Sequence, residues 1–63
     1  MIARARLIRT IRKIEKSLEK VSRQRDLFFS LNIRNSYLHF AGIVKLLKEE
    51  REYYQRQLNK LID

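Results

Sequence analysis

Sixty-three residues carry 15 Lys+Arg against 7 Asp+Glu, a formal net charge of +8, with 44% hydrophobic residues, one Gly, one His and no Cys, Pro or Trp. Disulfide staples are excluded, and so are zinc ribbons and fingers, whose ligand sets need thiolates or several histidines where this chain has only His39. A chain this short buries only about 60% of the surface its unfolded form exposes, so efficient helix packing and a partner are the means of stability left to it.

The opening segment, Met-Ile-Ala-Arg-Ala-Arg-Leu-Ile-Arg, is broken by arginine every second or third position, which is unlike the apolar core of a secretory signal. No apolar run approaches the roughly 20 residues that cross a bilayer. Arg4, Arg6, Arg9, Arg12 and Lys13 with no acid among them have the general look of an organellar transit segment. They nevertheless run without a break into a regular heptad. The expectation is an intracellular, cytoplasmic protein, with a mitochondrial location as the alternative.

The first predicted element follows from Leu7, Ile11, Ile14, Leu18, Val21, Arg25 and Phe28, spaced alternately four and three apart. That is the seam of a helix packed along its length against another. Ile33, Tyr37, Phe40, Val44, Leu47, Arg51, Tyr54, Leu58 and Leu61 repeat the alternation almost to the end. The step of five from Phe28 to Ile33 breaks the phase, and Ser30, Asn32, Asn35 and Ser36 cluster there, residues that favour turns and caps. The pattern predicts an all-α protein of one domain spanning residues 1–63. Its fold is an antiparallel two-helix hairpin with helices at about residues 2–29 and 35–62 and a turn at about 30–35. The alternative is one continuous helix with a stutter.

In the second helix Ile43, Leu46 and Tyr53 widen the apolar arc to about half the circumference, beyond what one partner helix covers. Two hairpins packed as a four-helix bundle would bury it. Phe40, Ile43, Val44, Leu46, Leu47, Tyr54, Leu58 and Leu61 are accordingly the expected interface of a homodimer. Gly42 has two readings, a place of close approach for another helix or a phosphate backbone, or a packing notch opposite Phe28 or the stem of Arg25, the second being preferred. Arg25 and Arg51 interrupt the seams. Either each lays its methylenes along the seam with its head in water, or each specifies register or meets a tyrosine such as Tyr37 or Tyr54.

Catalytic chemistry has little to draw on. His39 has no carboxylate near it in sequence and no cysteine anywhere, and Glu49, Glu50 and Glu52 alternate with Lys48, Arg51 and Arg56 in the manner of a solvated helix face. No enzyme activity, cofactor or metal site is expected.

The charge of the first helix is more informative. At 100° per residue, Arg6, Arg9, Lys13, Lys16, Lys20 and Arg23 fall within an arc of about 100° nearly opposite the seam. Glu15, Glu19 and Asp26 gather on a separate flank. Residues 1–30 hold nine Lys+Arg and three acids, residues 31–63 six and four, so the basicity belongs to the first helix. Such a stripe suits a row of phosphates. The expected function is noncatalytic binding of nucleic acid, RNA favoured over DNA, through those six residues. The alternative is a helical scaffold subunit docked into a larger protein or ribonucleoprotein assembly.

In shape and charge the chain is similar in kind to small helical-hairpin RNA binders, such as plasmid-encoded dimeric modulators of antisense RNA pairing and short basic hairpin proteins of the large ribosomal subunit. The likeness is architectural, with no motif matched residue by residue, and a shared architecture does not by itself carry function.

Overall fold

A computed structural model describes residues 2–62. The chain folds into two helices, α1 (Ile2–Ser30) and α2 (Arg34–Ile62), that pack against each other as a hairpin 46 Å long and 14 by 12 Å across. The 4-3 alternation reads through into packing. Ile14, Leu18 and Val44 form the buried centre, with Val21, Leu47 and Tyr54 packed around it, and Ile11 and Leu58 extend the buried line toward the open end. At the turn end Phe28 stacks on Phe40, ring centroids 5.4 Å apart and planes 12° from parallel. Phe29 tilts against Tyr37 at 5.5 Å. Aromatic pairs of this kind contribute about 0.5–1.5 kcal/mol beyond their buried area.

The connection is tighter than the sequence pattern predicts, comprising Leu31, Asn32 and Ile33 alone. Asn32 adopts the left-handed conformation, with φ 60°. Its N–H donates to the Phe29 carbonyl at 3.1 Å, and the Ile33 N–H donates to the Phe28 carbonyl at 3.0 Å. These are the paired bonds of a Schellman motif, in which asparagine fills the position usually held by glycine. Ser30 remains in α1 because its hydroxyl donates to the Asp26 carbonyl at 3.1 Å, so it bonds back to its own helix instead of forming the turn. Asn35 and Ser36 belong to the first turn of α2, where short polar side chains are tolerated. Ile33, expected in the seam, sits in the turn and is 43% exposed.

Asn32 supplies a direct test of this turn. Asn32→Gly should hold or slightly raise the melting temperature, whereas Asn32→Val, which must place a β-branched residue at positive φ, should cost about 1–2 kcal/mol. Thermal unfolding followed by circular dichroism reads both, and equal melting temperatures for the two variants would contradict a left-handed Asn32.

Gly42 does not form a packing notch. It is exposed, and a Cβ built on it would meet nothing within 4 Å. The two seam arginines diverge. Arg25 is half-buried along its stem and its Nε donates to Asp26 Oδ1 at 3.2 Å, while Arg51 is exposed beside a polar groove. That groove, lined by Glu15, Lys48, Glu52 and Arg56 among others, occupies one side of the hairpin.

The hairpin buries little. Its accessible surface is 5433 Å², whereas a compact monomer of 7.7 kDa is expected to expose about 4,300 Å². Leu46, Tyr53 and Leu61 on α2 stay exposed, as do Leu27, Phe29, Leu31, Ile33 and Leu38 around the turn.

Candidate nucleic-acid interface

The cationic stripe depends on α1 remaining helical from Arg6 to Arg23, since only then do residues three to seventeen positions apart come into line. Arg, Lys, Glu and Leu, good helix formers, dominate that length, and among the weaker formers Thr10 bonds back through Oγ1 to the Arg6 carbonyl at 2.9 Å. Because Ile11, Ile14 and Leu18 are held against α2, rotation of α1 about its axis is fixed, and the opposite arc is turned to solvent. Arg6, Arg9, Lys13, Lys16, Lys20 and Arg23 are all exposed. From Arg6 to Arg23 the arc runs about 25 Å at 1.5 Å per residue.

One expectation about the stripe needs correction. Arg23 is not clear of the acids, because its Nη2 donates to Glu19 Oε1 at 2.6 Å across one helical turn. Glu19 lies about 40° from Arg23 around the helix, close enough for an i,i+4 pair to bridge the two flanks. Both side chains are largely exposed, so the pair is weak and a phosphate can compete for the guanidinium. Among the described residues the other five stripe cations make no salt bridge. On α2 Arg56 Nη2 stands 3.4 Å from Glu52 Oε1, in keeping with a mixed, self-compensating face.

The residues expected to form an oligomer interface divide into two groups. Val44 and Leu58 are buried within the hairpin, and Phe40, Leu47 and Tyr54 are half-buried, with Leu47 and Tyr54 packed on the central cluster. These five serve the chain's own seam. Ile43, Leu46 and Leu61 retain exposed surface, Leu46 at 66%. Tyr53, 56% exposed and missing from the expected interface, lies beside them and meets Tyr54 edge to face at 5.3 Å. Two apolar stripes thus lie side by side on α2, one spent internally and one facing solvent.

Among the described residues no group of His, Cys, Asp and Glu is arranged to hold a metal ion, and no helix is long and apolar enough to cross a membrane. His39 is exposed, edge-on to Phe40 at 5.3 Å. No protein-family model matches the chain, and comparisons with curated proteins and with solved structures find no match.

Proposed function

We propose that this chain is a noncatalytic nucleic-acid-binding protein, RNA favoured over DNA, that engages phosphates through the outer face of α1 and acts as a homodimer in the cytoplasm. The observation that supports binding is the row of exposed cations from Arg6 to Lys20 on a helix whose rotation is fixed by its buried seam. A rigid row of point charges tracks a phosphate backbone, and displacement of condensed counterions supplies the free energy without reading sequence. Arg6, Arg9 and Arg23 are of a type that reads guanine edges in the major groove of DNA, but the major groove of A-form RNA is too deep and narrow for side chains to read. Selection by shape is what remains, and the wide, shallow minor groove of A-form RNA, bordered by phosphates, suits a helix lying across it.

Self-association is supported by area. The surface in excess of a compact monomer is about 1,100 Å², against roughly 800 Å² per partner in a standard interface. Two hairpins joined in this way would make a four-helix bundle carrying two stripes.

Fluorescence anisotropy of the purified protein with two RNA duplexes of unrelated sequence tests the reading. Affinities within about threefold of each other are expected, because phosphate contacts position without specifying. A strong preference for one sequence would contradict it. The scaffold reading draws support from the exposed leucines and phenylalanine around the turn. It would take over if neither duplex binds.

A further inference from the structure

We propose that the hairpin pairs with a second copy of itself through the solvent-facing flank of α2, antiparallel, with Tyr53 of each copy lying over Gly42 of the other. This rests on the homodimer reading above and moves the contact from the seam residues to the neighbouring stripe of Gly42, Ile43, Leu46 and Tyr53.

Gly42 is the residue that needs an explanation. Glycine inside a helix is disfavoured relative to alanine. Here its φ is not positive, and an added Cβ would touch nothing within 4 Å, so neither backbone conformation nor crowding within the chain calls for it. Close approach by something outside the chain does. On the same line of the helix, three turns away, Tyr53 presents a large and mostly exposed ring. Between them Leu46 is two-thirds exposed, and an open groove of about 620 Å³ is lined by Tyr53 itself with Leu7, Tyr54 and Leu61 and with the polar Arg6, Gln57 and Lys60. Apolar surface, a large side chain and a gap therefore share one flank.

Symmetry and charge set the register. A twofold axis between residues 47 and 48 places each Tyr53 opposite a Gly42, so one contact is made twice, as an isologous interface requires. Glu49 and Lys45 lie on the same side of the Gly42–Tyr53 line, so the antiparallel arrangement also brings Glu49 of one copy toward Lys45 of the other, while Lys48 and Glu52 stay in the polar groove beside Glu15. A parallel arrangement would set the glutamates against one another. The hairpin's surface excess is of the size a stable dimer buries, and a second copy brings an equivalent flank that sets Glu49 against Lys45.

Sedimentation equilibrium of the wild type, Gly42→Ala, Tyr53→Ala and the off-face control Leu27→Ala tests the proposal, with circular dichroism confirming helicity. Gly42→Ala improves helix propensity and meets open space in the single chain, so any loss of association reports the interface alone. The dimer dissociation constant should rise at least tenfold for Gly42→Ala and for Tyr53→Ala, and stay within twofold for Leu27→Ala. In a Gly42→Cys, Tyr53→Cys double variant of this cysteine-free chain, oxidation should yield covalent dimers. Residues eleven apart on one helix are too distant for a disulfide within the chain. A dimer unchanged by Gly42→Ala and Tyr53→Ala, with no covalent dimer from the double variant, would overturn this face while leaving self-association standing. A wild type that remains monomeric at every concentration would overturn the homodimer reading itself.

Discussion

Replacing Arg9, Lys13 and Lys16 together by glutamine should weaken binding to duplex RNA by about 10²-fold at 0.1 M salt, and should flatten the slope of log affinity against log salt by about two to three units. All three side chains are exposed on the outer face of α1, away from Ile11, Ile14 and Leu18, so the fold should be untouched. The same change at Lys45, Lys48 and Arg56 removes equal charge from α2. There the cations stand among Glu49, Glu50 and Glu52, and Arg56 already meets Glu52. Its effect should be several-fold smaller. Anisotropy titrations at three or more salt concentrations separate the two outcomes. Equal losses from the two triple variants would mean that bulk charge, not the stripe, attracts the polyanion.

Leu18→Ala should be the most damaging single truncation of the core. Leu18 lies at the middle of the hairpin and is buried with Ile14 and Val44, so a cavity there has few neighbours free to close it. Large-to-small changes at such sites cost about 2–5 kcal/mol. A chain of 63 residues has about 3–9 kcal/mol of stability in total. The melting temperature should fall by about 10–30 °C, while Leu27→Ala, more than half exposed, should move it by only a few degrees. Similar shifts for the two leucines would contradict the packing of α1 on α2.

Much of this arrangement is legible in the residues themselves, because helical geometry converts sequence spacing into angle. The seam from Leu7 to Phe28 and its continuation from Phe40 to Leu58 assign both helices, and the same arithmetic lines up the six cations. The step of five across Phe28 and Ile33 locates the turn. Propensity then misjudges its length, since Ser30, Asn35 and Ser36 count as turn formers by type. What decides is one left-handed residue, Asn32, together with a hydroxyl that bonds back to its own helix. The Arg23 pair with Glu19 was available as an i,i+4 spacing, but sorting the acids to a separate flank hid it. The expected interface merged two adjacent stripes of α2, because apolar character alone does not say which stripe α1 occupies. Burial of Val44 and Leu58, against exposure of Leu46 and Tyr53, separates them. Whether Gly42 faces its own chain or open space depends on the rotation of α2 about its axis, which the residue type does not reveal.

The salt dependence of wild-type affinity for a short RNA duplex tests the central claim most directly. Four to five phosphates neutralised per stripe, allowing for Arg23 held by Glu19, predict a slope of log affinity against log salt near −4. That slope corresponds to a loss of affinity of about 10²-fold between 50 and 200 mM salt. A slope near zero, or no detectable binding at 50 mM salt, would contradict the assignment of α1 as a phosphate-binding face.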